Sequence, residues 1–285
     1  MLHELRDPLL LGALERLQLT SRHRLAGQLL GSHRSKRYGA SLDFADFRDY
    51  QPGDDFRRID YLTLARLDQL VVRLYEAEDD VTVRLLVDCS ASMRLDKKLA
   101  RAAELAGAIG FMALTRRDRV EVHVAGRPPA RFRGRTGVGP LFDYLESLKA
   151  SGEGSLPSTA TTLLSQNRSA GMVILCSDLL ETQWDQALHK LPARGDDVTI
   201  VHTLGIGEFE PPRLGDIDLV DAETGSRVAV TLTPQSIDAY QSRLSTWLER
   251  VESSCNKLGA RYLLADTRQS LRSTILGDVT GVMAS

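Results

Sequence analysis

Cysteine is scarce. The three present, Cys89, Cys176 and Cys255, are far apart and form no C-x-x-C pair. That spacing excludes a disulfide framework and a thiolate zinc site, and it points to a reducing compartment. The six histidines form no H-x-x-x-H pair. The chain also lacks a G-x-x-x-x-G-K-[ST] loop and a G-x-S-x-G elbow, so the usual signatures of nucleotide hydrolysis and of a serine hydrolase are missing. Aromatic residues make up only 6% of the chain. The one basic stretch, Arg22, Arg24, Arg34, Lys36 and Arg37, has only Tyr38 beside it, too little stacking surface for single-stranded nucleic acid. The formal net charge of −2 gives no general pull toward nucleic acid or an anionic membrane. No apolar run reaches the length of a membrane span. The opening MLHELRDPLLLGALERLQL is too interrupted by charge for a signal peptide. The expectation is a cytoplasmic chain without a membrane span.

What is present is ordinary globular material: 285 residues, 42% hydrophobic and 26% charged, enough for a sizeable core. Apolar residues at helical spacing (Leu10, Leu14, Leu17, Leu25 and Leu29) predict helix through about residue 30. The pattern is irregular from 31 to 61, with Tyr38-Gly39 and Pro52-Gly53 as turn signals. From residue 69 an α/β alternation sets in. Strands are predicted at 70–75, 81–87, 120–124, 172–176, 198–204 and 262–265. Helices are predicted at 97–116, around 141–148, at 184–191, from Thr233-Pro234 to about 258 and at 271–279. A β-hairpin at about 216–232, turning at Glu223-Thr224-Gly225, interrupts the series. Strand 81–87 is nearly all apolar apart from Arg84, as a strand buried on both faces should be. The fold class is therefore α/β, a mostly parallel sheet with helices on both faces. The expected division is an amino-terminal segment, 1–68, packed on an α/β domain, 69–285.

Sites in such sheets lie at the carboxyl ends of the strands. One apolar strand ends in Asp88-Cys89-Ser90-Ala91-Ser92, another in Cys176-Ser177-Asp178. Between them, 151–162 is a small-residue stretch rich in hydroxyls. Asp88, Ser90, Ser92 and Asp178 would offer oxygens to one point above the sheet if the two strands are neighbours. Oxygen donors with little net charge suit a hard, partly hydrated divalent cation such as Mg2+. The plainer reading is a pair of turns with helix caps. A cysteine-phosphatase loop needs C-x5-R, whereas Cys89 and Arg94 stand at C-x4-R. A haloacid-dehalogenase site needs a second carboxylate where Ser90 stands.

The placement of Asp88, Ser90, Ser92, the hydroxyl loop and Asp178 resembles the metal-ion-dependent adhesion site of von Willebrand factor A domains. That resemblance implies a von Willebrand factor A-like, Rossmann-like fold and a Mg2+ ion whose shell is completed by a partner's carboxylate. The middle ligand is a threonine after glycine in that family. Here Gly154 is followed by Ser155, with Thr159, Thr161 and Thr162 as alternatives. Tyr50-Gln51-Pro52-Gly53-Asp54-Asp55-Phe56-Arg57-Arg58-Ile59-Asp60-Tyr61, then Ala65-Arg66, is similar to the signature of the bacterial domain-of-unknown-function family fifty-eight. Asp221-Ala222-Glu223-Thr224-Gly225 and Ala239-Tyr240 look like that family's tail. Its association with MoxR-type AAA+ ATPases implies a non-enzymatic, metal-dependent protein-binding module that works in chaperoning or maturation of other proteins. The alternative is a metal-dependent hydrolase or phosphatase using Asp88 and Asp178. The charges of the central string predict an ion-paired brace locking the amino-terminal segment onto the α/β domain.

Overall fold

The computed structural model describes residues 2–17, 19, 44–75, 81–152, 155–165, 170–210 and 214–279. In chain order the main elements are α1 (Pro8–Leu14), β1 (Phe44–Asp49), α2 (Tyr61–Leu67), β2 (Val71–Tyr75), β3 (Thr82–Val87), α3 (Lys98–Thr115), β4 (Arg119–His123), β5 (Ala130–Arg133), α4 (Val138–Glu146), α5 (Leu156–Ser165), β6 (Met172–Ser177), α6 (Trp184–Lys190), β7 (Asp197–Leu204), α7 (Ile206–Phe209), β8 (Gly215–Val220), β9 (Arg227–Leu232), α8 (Pro234–Lys257) and β10 (Arg261–Asp266). The chain divides into two units, 1–27 with 81–285, and 28–80. Residues 1–27 thus group with the α/β unit, and the second division falls at 80/81 rather than at the expected 68/69.

The α/β unit is built on a six-stranded sheet ordered β10-β7-β6-β3-β4-β5. Every neighbour pair is parallel except β4 with β5, which closes one edge in the opposite sense. Numbering these six strands along the chain gives the doubly wound order 3-2-1-4-5-6, with its reversal between β3 and β6. Period-two alternation sorts the side chains. Val83, Leu85 and Val87 of β3 join one core cluster with Met172, Ile174 and Cys176 of β6, whereas Leu86, Val173 and Leu175 join the other. Both faces of the sheet are therefore covered, as near-continuous apolar strands require. The polar exception, Arg84, is 1% exposed, and its guanidinium donates to Asp196 at 2.9 Å.

Helix α3 is buried nearly all round because close packing is built into it. A Cβ at Gly107 would stand 2.7 Å from Leu5 Cδ2, and one at Gly110 would stand 2.5 Å from Leu141 Cδ2. Those glycines let the amino-terminal residues and α4 approach the helix. Leu2, Leu5, Leu10 and Leu14 accordingly lie in the same core. The helix predicted through residue 30 is shorter than expected: α1 covers only Pro8–Leu14, the described residues on either side of it (2–7, 15–17 and 19) are not helical, and 20–30 lie outside the described residues.

Several elements depart from expectation; β1, α2 and α7 were not predicted. Ala130–Arg133 is a strand that the sequence reading did not contain, an edge strand of only four residues. The stretch read as a hydroxyl-rich loop becomes helix from Leu156, with Thr159, Thr161 and Thr162 each bonding a backbone carbonyl four residues back.

In the unit of 28–80, β1 and β2 pair antiparallel, so the strand expected to begin the α/β alternation belongs here instead. The signature string spends its acids locally. Arg48 holds both oxygens of Asp54 at 2.7 Å. Asp55 accepts from Arg57 N, and Asp60 caps α2 through Leu62 N and Thr63 N. This ion pair and these caps lie inside the segment and are distinct from the expected brace onto the α/β domain.

Candidate metal centre

The reversal of strand order between β3 and β6 opens a crevice at their carboxyl ends, and the Asp88–Ser92 loop lies there. The two strands stay in register to their ends, with Val87 opposite Cys176. Asp88 N extends the ladder by donating to Cys176 O at 2.9 Å. The Asp88 carboxylate then folds the loop: Oδ1 accepts from Ser90 N at 2.8 Å, and Oδ2 accepts from Ser177 Oγ at 2.5 Å. The hydroxyls of Ser90 and Ser92 meet at 3.1 Å. Cys89 O accepts from Ser151 N and Gly152 N, at 3.0 and 3.2 Å, which draws the second loop to the first.

Asp88, Ser90, Ser92, Ser155 and Thr159 line one cavity of about 270 Å³, shared with Glu181, Glu223 and an apolar floor that includes Leu86, Leu175 and Leu180. Of the four hydroxyls weighed for the middle position, Ser155 and Thr159 reach this cavity. Ser155 is also committed locally, since its Oγ accepts from Ser158 N at 3.3 Å and caps α5. Thr161 accepts from Lys190 Nζ at 2.9 Å.

Asp178 is placed differently. It is 1% exposed and is not part of the cavity wall. Its Oδ1 accepts from Leu180 N at 3.2 Å, and its Oδ2 accepts from Lys98 Nζ at 2.8 Å. Lys98 is fully buried and also donates to Glu208 Oε1 at 2.6 Å. Burial alone would lower its affinity for a proton; the charges and hydrogen bonds of Asp178 and Glu208 outweigh that and hold the ammonium above its ordinary value. Asp88, Ser90, Ser92 and Ser155 are thus brought to one cavity, while Asp178 stands behind it on Lys98.

Burial pushes the Asp88 carboxyl above the ordinary range, and the charge of Asp178 adds to that; the bonds from Ser177 and Ser90 pull the other way. Among the described residues the cavity wall carries three carboxylates, Asp88, Glu181 and Glu223, and no basic side chain. Burial, reinforced by Asp88, raises the Cys89 thiol to about 11, which disfavours the thiolate. His202 Nε2 lies 3.0 Å from Asp178 O, which can only accept, so this nitrogen carries the proton and Nδ1 accepts from Tyr262 Oη at 2.8 Å. Burial lowers this imidazole to about 4, so it is neutral and positions the end of β6.

Four site residues escaped sequence reasoning: Ser177, Lys98, Glu181 and Glu223. Ser177 and Glu223 stand inside strings already singled out. Lys98 gave no signal, because a lysine in a helix reads as solvated until its burial is seen.

A family model described as "Protein of unknown function DUF58" matches residues 46–246. The chain belongs to the DUF58 family. Two uncharacterized proteins, Mb1516 of Mycobacterium bovis and Rv1480 of Mycobacterium tuberculosis, are each 29% identical to it over 98% of this chain and 90% of their own length. Among solved structures it is similar to an aerotolerance-related membrane protein of Bacteroides fragilis (16% identity, TM-score 0.41, 70% of this chain and 99% of the other). It is also similar to the conserved hypothetical protein BatB of Bacteroides thetaiotaomicron (14% identity, TM-score 0.39, 70% and 98%). Among the described residues of this DUF58 protein, no helix is long and apolar enough to cross a membrane.

Proposed function

We propose that this DUF58 protein is a non-enzymatic binding module that grips a protein partner through Mg2+ held by the Asp88–Ser92 loop. The observation that carries the reading is the Ser90–Ser92 hydroxyl pair, 3.1 Å apart and facing a cavity walled by three carboxylates without a basic side chain. Adjacent ligands in an octahedral Mg2+ shell with bonds of about 2.1 Å stand about 3 Å apart, so the pair fits without rearrangement. Among the described residues no three His, Cys, Asp or Glu side chains form a metal-holding group, so the reading draws its donors from hydroxyls, individual carboxylates and water. That set favours Mg2+ over zinc.

Ser90 and Ser92 would ligate directly, Asp88 would ligate directly or through water, and Ser155 or Thr159 would serve from the far wall. Asp178 contributes charge from behind, tied to Lys98. Bound there, the ion would supply a Lewis-acidic position that prefers a hard anionic oxygen, which a partner's Asp or Glu provides. Hydrolysis needs a base free to take a proton from water. Asp88 accepts with both oxygens, from Ser90 N and Ser177 Oγ, whereas Glu181 and Glu223 each commit one oxygen, to Leu156 N and Ser92 N, so turnover is what separates a hydrolase from a binding module. The proposed partner is a MoxR-type AAA+ ATPase, as the family resemblance implies, with a role in chaperoning or maturation of other proteins. The test is the affinity of such an ATPase for the full chain in Mg2+, in chelator, and for Asp88→Ala. The reading expects binding only in the first condition. Equal affinity in all three refutes it, and metal-dependent turnover of a phosphoester transfers the case to a hydrolase.

A further inference from the structure

We infer that Glu223 is a tethered ligand: its carboxylate closes the proposed cation site from within the chain, in the position a partner's Asp or Glu would take. The inference rests on the metal reading and extends it to how the site is kept when no partner is bound.

Glu223 is 131 residues from the loop it touches, yet its Oε1 accepts from Ser92 N at 2.8 Å. An oxygen bonded to that amide cannot be far from the Ser92 hydroxyl, which hangs from the same Cα. The side chain shares the cavity wall with Asp88, Ser90 and Ser92. Its Oε2 lies 3.6 Å from where a Cβ on Gly152 would stand, so the carboxylate spans the gap between the two loops that frame the site.

The hairpin is shaped to deliver this one group. Strands β8 and β9 pair only with each other, as a separate two-stranded sheet. Their side chains are largely exposed, including Leu219, Val220 and Val228, which are at least half exposed. The tip, by contrast, is tightly organised: Asp221 Oδ1 accepts from Glu223 N at 2.8 Å and from Thr224 N at 2.9 Å. Gly225 N returns to Asp221 O at 2.9 Å. A rigid tip on an exposed arm fixes where Glu223 points while the arm itself commits little core. A carboxylate aimed at a wall that already carries Asp88 and Glu181 is repelled by them, and a cation held by Asp88, Ser90 and Ser92 reverses that repulsion. A partner's carboxylate then binds by displacing Glu223, whose tether gives it a high effective concentration.

The experiment titrates the full chain with Mn2+ alone, used as a paramagnetic substitute for Mg2+, and reads affinity together with the water-proton relaxation enhancement of the bound ion. Glu223→Ala should bind Mn2+ at least about tenfold more weakly, the lower end of what losing even an outer partner of a ligand costs. Its enhancement per bound ion should rise, because water takes the vacated position. Glu223→Gln keeps an acceptor for Ser92 N and guards against a fold defect, and it should lose affinity as well. Wild-type affinity and enhancement in both variants, or tighter binding, would overturn the tether and leave Glu223 as a backbone cap. Asp88→Ala separates the two readings. If it abolishes Mn2+ binding while the Glu223 variants behave as wild type, only the tether falls. If Asp88→Ala leaves binding unchanged, or the wild type binds no Mn2+, the metal reading falls and the tether with it.

Discussion

Lys98→Met isolates the electrostatics behind the site. Lys98 Nζ is fully buried between Asp178, at 2.8 Å, and Glu208, at 2.6 Å. Methionine fills most of the same volume but removes the charge, so the loss is electrostatic rather than a cavity. Removing one partner of a buried pair costs about 3–5 kcal/mol, because the remaining charge stays desolvated. Asp178 meets that condition at 1% exposure. Glu208 does so only in part, since its other oxygen accepts from Gly205 N at 2.7 Å and its side chain is 14% exposed. For a unit of this size the loss lowers Tm by roughly 10 °C. Adding Asp178→Asn should recover part of it: asparagine still accepts from Leu180 N, and no buried carboxylate is left uncompensated there. The assay is urea denaturation of the wild type, both singles and the double variant, read as a coupling energy. A loss under about 1 kcal/mol for Lys98→Met, or a double variant no more stable than the single, would refute the reasoning.

Glu104 carries a pH dependence. Burial chiefly raises its carboxyl from 4.5 to about 7, against the pull of Arg101 and Lys97 and with a push from Glu4. Because the folded value lies above the unfolded one, the associated stability is complete below pH 4.5 and declines as pH rises through 7. Glu104→Gln should flatten that decline, by no more than about 3 kcal/mol, and parallel slopes of stability against pH for the two proteins would contradict it. Gly110→Ala forces a Cβ to 2.5 Å from Leu141 Cδ2 and 3.3 Å from Leu85 Cδ1; overpacking of about 1–3 kcal/mol outweighs the roughly 1 kcal/mol helix gain, so chemical denaturation should find a net loss, and a net gain would mean that α4 gives way freely. Leu5→Ala should cost about 2–5 kcal/mol, and a loss near zero would show that the amino-terminal residues are not part of the core. Residues 28–80 expressed alone should show no cooperative melt, because Ile59, Val71 and Val72 are the only buried apolar residues described there; a sharp transition would make this segment an independent domain.

The sheet was legible because period-two and fully apolar runs survive on their own in sequence. The runs at 81–87 and 172–176 marked β3 and β6, and the parallel α/β class followed from alternation. The edge strand Ala130–Arg133 was not, since only four residues pair there and its exposed positions carry arginine. The Asp88 loop was readable from its string, as was its placement at a strand end. The partner of Asp178 was not, because Lys98 lies 80 residues away and only the fold reveals that it is buried. The hydroxyls in 151–162 were read as a loop, because side chains that bond their own helix carbonyls look the same in sequence as loop hydroxyls; Thr159, Thr161 and Thr162 do so in a helix from Leu156. The strand at 70–75 was found but misassigned, as antiparallel pairing with β1 depends on a contact more than twenty residues upstream.

The central claim is one divalent ion on the Asp88–Ser92 loop, and anomalous diffraction from crystals grown with Mn2+ tests it most directly. The account predicts a single strong peak at about 2.2 Å from Ser90 Oγ and Ser92 Oγ, inside the cavity that Asp88 and Glu223 line. Its absence in crystals of Asp88→Ala would complete the case. A wild-type crystal with no peak there, or with its peak on another group of residues, would contradict it.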